Sequence, residues 1–411
     1  MHLNAPNAPL RALDDALAEL LAQSQTLTGT ETLSTFDADG RVLAQDLVSA
    51  LQIPPVDNSA LDGYAVRATE ITGEDAVLPV SQRISAGSQP QPLQPGSVAR
   101  IFTGAIVPEG ADAVVMQEDT EALEDGRVRF LRVPSPGLSI RRSGEDVTRG
   151  AVILPRGVRI GPAAQGQAAS IGMERLVVVR RPRVALFCTG DELVMPGSVP
   201  PEAMKPSAIY NANRFFLRSL LQRLGCEVHD LGIVPDRLDA TVEALREAAR
   251  GNDVVLTSGG VAVGEEDHVK PAVRQLGALD LWQIAMKPGK PFAYGRISEA
   301  HFIGLPGNPV SSFVTFLLLV RPFLLKLQGV TRLAPSVLEL PARFDMPKVN
   351  KRREFLRARR SEDGGIELFH NQSSGVLTSM TWADGLVDHP AGGTISRGDM
   401  LRFLSLVELL A

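Results

Sequence analysis

Between residues 179 and 328, apolar β-type runs alternate with stretches of helical periodicity, and this alternation limits the possible fold more than any other feature of the chain. "RVALFCTG" (183–190) reads as a buried strand. In "NANRFFLRSLLQRLG" (211–225), Leu217, Leu220, Leu221 and Leu224 share one helical face, Asn211 or Asn213 can cap the start, and Gly225 can end it. "CEVHDLGIV" (226–234) and "DVVLTSGG" (253–260) read as strands, with a helix between them that opens at Asp239 and carries Val242 and Leu245. "HFIGL" (301–305) leads into the apolar helix "PGNPVSSFVTFLLLVRPFLLKLQG" (306–329). Parallel neighbours need a crossover, so the pattern predicts a doubly wound, mostly parallel sheet with helices on both faces. Ligands of such sheets sit beyond the carboxyl ends of the strands.

The flanks differ. "APLRALDDALAELLAQS" places Leu13, Leu17, Leu20 and Leu21 on one face of a helix. Residues 51–144 are rich in Pro, Gly and short runs such as "ARIF" and "AVVM", and a small-residue helix is expected over 162–171. After residue 329 come the short strand candidates "VLELPARF", "REFLRARR", "GIELFH" and "MLRFLSLVELL". The resulting expectation is a multidomain α/β plus β chain. A discontinuous N-terminal mixed domain (1–50 and 145–178) is interrupted by a β-rich inserted domain (51–144). The α/β domain (179–328) and a small, barrel-like C-terminal β domain (329–411) follow. A length of 411 residues exceeds what one core serves.

A net charge of −5 opposes non-specific nucleic-acid binding. Two cysteines build no disulfide framework, and no signal-peptide pattern opens the chain. The longest apolar run, "FVTFLLLV", is too short to span a bilayer and is closed by Arg321. The expectation is a cytoplasmic protein with no nucleic-acid and no membrane partner.

Three loops end predicted strands: "CTGDEL" (188–193), "TSGGVAVGEED" (257–267) and "LPGNPVSS" (305–312). In a parallel sheet they share one edge. Thr189, Gly190, Ser258, Gly259, Gly260, Pro306, Gly307 and Asn308 then offer hydroxyls and free amides to a phosphate-bearing ligand, beside a helix N-terminus. No GK[ST] follows the glycines and no GxGxxG follows a strand, so neither a Walker loop nor a dinucleotide redox site is supported. In "MKPGKPF" (286–292), Pro288 and Pro291 stiffen the loop that carries Lys287 and Lys290, which suits an oxyanion. Glu192 and Asp267 would repel a phosphate on the same edge unless a divalent cation lay between them. Mg²⁺, held by one or two carboxylates plus ligand phosphates, resolves that conflict. Each of these features also has a plain reading, as a tight turn or a solvated side chain. "KRREFLRARR" (351–360) holds six basic residues, and a strand with one basic face serves a small polyanion. The histidines form no HxxxH or HxH pattern, and no GxSxG nucleophile motif occurs.

Seven elements in order, "DNSALDGYAVR", "RIFTGAIVPEGADAVVMQED", "IRRSGEDV", "TGDEL", "SGGVAVGEED", "KPGKPFAYG" and "LPGNPVSS", give the chain a strong resemblance to the molybdopterin molybdenumtransferases, the MoeA and gephyrin E-domain family. The resemblance implies a homodimer of four-domain subunits and the last step of molybdenum cofactor synthesis. Molybdenum from molybdate enters adenylylated molybdopterin, with Mg²⁺-dependent release of AMP. Its implied catalytic residues are Asp62, Thr103, Asp146, Asp236, Lys287 and Lys290, with Glu192 and Asp267 on the metal and Arg353 and Ser374 on substrate. Transient contact with the molybdopterin adenylyltransferase and with cofactor-receiving enzymes goes with that role. Ala262 stands where the family usually has serine, Leu61 where methionine is common, and Asp384 where asparagine is usual. Two alternatives are an adenylyltransferase, which needs only the α/β domain, and a non-catalytic gephyrin-like scaffold.

Overall fold

Alternate side chains of the strand Arg183–Thr189 (β1) enter two different cores, which is what places helices on both faces of its sheet. The computed structural model describes residues 10–261 and 268–410. It divides into two units, Met1–Ala44 with Arg156–Gly161 and Leu176–Ala411, and Gln45–Pro155 with Pro162–Arg175.

In the first unit, helix α1 (Leu13–Gln23) precedes the central sheet. The sheet contains β1, β2 (Glu227–Val234), β3 (Val254–Ser258), β4 (Gly277–Gln283), β5 (Pro291–Ile297) and β6 (Ala300–Leu305), in the order β2-β1-β3-β6-β5-β4. β2, β1, β3 and β6 pair in parallel. β5 is antiparallel to both of its neighbours. The helices are α2 (Ala212–Arg223), α3 (Leu238–Ala249), α4 (Val269–Leu276) and α5 (Pro309–Leu327). Val184, Leu186, Leu256 and Ile303 pack with Leu217 and Leu221 of α2, with α5, and with Leu13 and Leu20 of α1. Ala185, Phe187, Val255 and Phe302 pack with Leu245 of α3 and with Val269 and Val273 of α4.

The sheet is mostly parallel, as the alternation predicts, and becomes mixed at one edge. β4 and β5 form an antiparallel edge that the sequence conceals, because "ALDLWQ" has little period-2 contrast and the start of β5 carries Pro291. Of the two asparagines able to cap α2, Asn211 does so, accepting from Arg214 N at 3.1 Å.

Helix α5 runs through Arg321, which was expected to close the apolar run. At 19 residues it is long enough to cross a membrane, yet 83% of its apolar stretch is buried inside the protein, as in the core helix of a globular fold. Arg321 is tolerated there, at 8% exposure, because its guanidinium donates to the carbonyls of Leu333 (3.2 Å) and Glu408 (3.4 Å).

The C-terminal sheet orders Met286–Lys287, Arg353–Arg360, Gly385–His389, Met400–Ser405 and Leu338–Pro341, with Ile366–Leu368 beside Arg353–Arg360. A bridge from Ala342 to Ile366 and a bond from Arg343 N to Ile366 O (2.9 Å) join its edges, rolling it around Leu356, Val387 and Phe403.

In the second unit a six-stranded sheet runs Ala113–Met116, Gly63–Val66, Val98–Ile101, Ala76–Ile84, Arg127–Phe130, Thr120–Ala122. Tyr64 and Phe130 meet edge-to-face at 6.3 Å in one of its cores. The expected small-residue helix occupies Pro162–Ser170.

Asp253, just before β3, accepts both terminal nitrogens of Arg180 (2.8 and 2.6 Å) and the N–H of Arg183 (2.8 Å). Burial alone would raise its pKa. The hydrogen bonds from Arg180 and Arg183, with their charges, outweigh that and hold it below the usual carboxylate value. A lowered folded-state pKa gives stability that is present above the unfolded value of about 3.9 and lost as pH falls through the folded one. Asp253→Asn is therefore expected to be less stable than wild type at neutral pH, with a gap that narrows below about pH 4. Urea melts across pH check this, and a gap independent of pH would refute it.

Candidate active site

Crossover from β2 back past β1 to β3 reverses the direction of winding, so a crevice opens at the carboxyl ends of β1 and β3. The register brings three turns to that edge. Cys188 pairs with Ser258 and Ser258 with Leu305, so the chain leaves β1, β3 and β6 at one level. Gly259 N donates to Leu305 O at 3.1 Å. A Cβ on Gly307 would lie 3.8 Å from the Gly259 Cα, and one on Gly259 would lie 2.9 Å from the Thr189 carbonyl. Gly190, Gly259 and Gly260 have φ of 147°, 97° and 69°, conformations that favour glycine. The turns that carry Thr189, Gly190, Ser258, Gly259, Gly260, Pro306, Gly307 and Asn308 thus lie at one edge of the sheet.

The side chains there divide into those facing the ligand edge and those holding the turns. Ser258 is 3% exposed; its hydroxyl accepts from Asn213 Nδ2 (2.9 Å) and lies 3.1 Å from Pro306 O and 3.3 Å from Ser312 Oγ. It shapes the turn and is not directed at a ligand. Acids gather around the β1 turn. Thr189 Oγ1 donates to Asp236 Oδ1 (3.2 Å), and Asp236 N donates to Asp191 Oδ1 (3.3 Å). The exposed Glu192 folds over Gly190, where a Cβ would lie 2.6 Å from its Oε2. Asp267 and Ala262 lie outside the described residues.

The lysine loop sits against the start of α5, since a Cβ on Gly289 would lie 2.3 Å from Thr315 Oγ1 and 3.6 Å from Ser311 O. Lys290 is exposed. Lys287 Nζ donates to Glu354 Oε1 at 2.8 Å, and Glu354 also accepts from Asn350 (3.1 Å). Ser374 reaches the same helix end through its carbonyl, which accepts from Val310 N (3.0 Å). Arg353 is committed elsewhere. Its guanidinium is gripped by the buried Asp388 (2.6 and 2.7 Å) and by Asp14 (2.9 and 3.1 Å), and these bonds raise its pKa further. In this structure Arg353 ties α1 to the C-terminal sheet rather than offering a free guanidinium to substrate.

Asp62, Thr103 and Asp146 belong to the second unit. Strand pairing of Asn58–Ser59 with Ile140–Arg141 brings "DNSALDG" beside "RRSGEDV". Asp57 accepts from Ser143 N (2.8 Å) and Arg142 (2.6 Å), and the Ser143 bond leads in lowering its pKa. Asp62 Oδ1 accepts from both the N–H and the hydroxyl of Thr103 (2.8 Å each). The Thr103 N–H is the main reason that its pKa is lowered. Asp62 therefore stays ionised and holds Thr103 at a turn. Asp146 is exposed on the neighbouring loop, its N–H fixed to Ile53 O (2.9 Å).

Among the described residues no three His, Cys, Asp or Glu side chains converge on a metal. A Mg²⁺ shared with a phosphate needs only one or two carboxylates from the protein, and Asp191 and Glu192 beside the amide-rich β1 turn are of the right chemical type. Asp191, Glu354 and Asn213 were missed in the sequence, because their relevance lies in contacts between distant segments.

The MoeA N-terminal region (domain I and II) matches residues 11–172, the probable molybdopterin binding domain residues 185–326, and the MoeA C-terminal region (domain IV) residues 339–406. The molybdopterin molybdenumtransferase of Haemophilus influenzae is 43% identical over 77% of this chain and 78% of its own. That of a Nostoc species is 34% identical over 99% of this chain and 95% of its own. The crystal structure of the molybdopterin biosynthesis MoeA protein of Pyrococcus horikoshii superposes with a TM-score of 0.84 at 28% identity, over 97% of this chain and all of that one. With family profiles and near full-length relatives spanning its α/β and β-rich regions alike, the chain belongs to the MoeA family.

Proposed function

We propose that this chain is a molybdopterin molybdenumtransferase, which joins molybdenum from molybdate to the dithiolene of adenylylated molybdopterin as AMP leaves. The observation that carries this reading is the 34% identity to a protein of that name over 99% of the chain, which includes the flanking domains. An adenylyltransferase would leave those domains without a role. We keep the four-domain division at 1–50 with 145–178, 51–144, 179–328 and 329–411, a doubly wound third domain, a barrel-like fourth, a homodimer and a cytoplasmic location. Short-lived contact with the enzymes that supply the adenylylated pterin and receive the finished cofactor belongs to the same reading.

Backbone amides of the turns at Gly190, Gly260 and Gly307–Asn308, with the N-terminus of α5, suit the adenylate phosphate. Lys290 adds an exposed positive charge, and Lys287 one held by Glu354, for the molybdate dianion, whose oxygens the hydroxyl of Ser374 can also meet. A Mg²⁺ held by Glu192 and Asp267 supplies Lewis-acid polarisation of the phosphoryl oxygen. Asp236 fixes the Thr189 hydroxyl at the rim of the β1 turn. Water attacks the adenylate phosphorus, the anhydride bond to the pterin's own phosphate breaks and AMP leaves, while the two dithiolene thiols replace two molybdate oxygens, which depart as water, so the protein needs no covalent nucleophile.

Supplied with adenylylated molybdopterin, molybdate and Mg²⁺, the protein should release AMP and form molybdenum cofactor without pyrophosphate. Glu192→Gln is expected to slow AMP release by about tenfold or more at saturating substrate. Pyrophosphate formed from molybdopterin and ATP would assign adenylyl transfer instead. Absence of any turnover by the folded wild-type protein would favour a scaffold.

A further inference from the structure

We propose that Asn213 is a positioning residue of this site, which sets the peptide plane between Gly307 and Asn308 so that an amide, not a carbonyl, faces the phosphate. This rests on the functional reading above and extends it to a residue to which that reading gives no role.

Asn213 is the second residue of α2, a helix anchored independently by its Asn211 cap and by Asn211 N donating to Val194 O (2.9 Å). Both hydrogens of the Asn213 amide are spent on two different turns: Nδ2 lies 2.9 Å from Ser258 Oγ and 2.7 Å from Gly307 O. Ser258 Oγ is in turn 3.1 Å from Pro306 O, so one NH₂ group links the turn after β3 to the turn after β6. Strand pairing ends at Ser258 and Leu305, and past that point these bonds carry the alignment. A trans peptide is planar, with C=O and N–H on opposite sides. Holding the Gly307 carbonyl towards α2 therefore turns the Asn308 N–H the other way, at the start of α5. Gly307 is exposed and has no side chain to resist rotation of that plane. Rotated, it would present a carbonyl oxygen to a phosphate. Two donors on one nitrogen are required, which aspartate lacks and alanine removes.

The test compares wild type, Asn213→Ala and Asn213→Asp in steady-state AMP release from adenylylated molybdopterin, with melting curves and calorimetric binding of AMP in Mg²⁺. Asn213→Ala should raise KM about tenfold, the loss of roughly one charge-assisted hydrogen bond. Asn213→Asp should raise it further, because its carboxylate repels the Gly307 carbonyl. In both, kcat per folded molecule should change less than about threefold. A residue that merely stabilises the fold would lower the melting temperature and the active fraction with KM unaltered. A KM within about twofold of wild type in both variants would overturn the proposal, whatever happens to melting. Wild type that releases no AMP would count against the functional reading alone, and AMP affinity would then decide this inference: about tenfold weaker binding in Asn213→Ala supports it, unchanged binding overturns it.

Discussion

Gly259→Ala is expected to reduce kcat/KM for AMP release by about a hundredfold, equivalent to about 2.7 kcal/mol. The Gly259 φ of 97° is poorly accessible to alanine, and strain of this kind costs about 1–3 kcal/mol. Its Cβ would also stand 2.9 Å from the Thr189 carbonyl, a backbone atom of the central strand β1 that cannot swing aside. The turn must move, and a shift of about 1 Å in a site built from converging amides is enough for a loss of this size. The melting temperature should fall by only a few degrees, since strand pairing up to Ser258 is untouched. Gly73→Ala is the matched control, because its Cβ would meet nothing within 4 Å, and it should leave both quantities as they are. Activity of Gly259→Ala within about threefold of wild type would remove the three-turn edge from the mechanism.

Asp388→Ala is expected to destabilise the first unit by about 3 kcal/mol. Asp388 is 5% exposed and receives two nitrogens of Arg353 and one of Arg402 (3.2 Å). Its removal leaves two cations facing each other, Arg353 at 27% and Arg402 at 54% side-chain exposure. Arg353→Ala should cost somewhat less, about 2 kcal/mol, because the Asp388 carboxylate keeps Arg402 as a partner. The pair separates two roles for Arg353. As the link between α1 and the C-terminal sheet, its loss lowers stability in urea melts. As a substrate ligand alone, its loss would leave the melts unchanged and alter KM.

Much of the architecture was readable because hydrophobic periodicity is a local property. The helix around Leu217, Leu220 and Leu221 and the strands β1, β3 and β6 follow from spacing alone, as does their arrangement into a sheet with two covered faces. The antiparallel edge of β4 and β5 did not, since both faces of "PFAYGRI" are buried and its pattern carries no alternation. Arg321 misled for a related reason: a charge ends an apolar run on paper, but inside the fold two distant carbonyls satisfy it.

By itself the chain of amino acids supplied the parts: glycine turns at strand ends, a lysine loop and acids close to both in sequence. Only the tertiary structure decided which groups remain free to act. It buried the Ser258 hydroxyl, gave Arg353 to Asp388 and Asp14, and brought Asn213 to two turns that lie 45 and 94 residues away in the chain. The physical reason is that residue type sets what a side chain can donate or accept, while long-range packing sets which partner it meets, and a donor already satisfied within the protein has little left for a ligand.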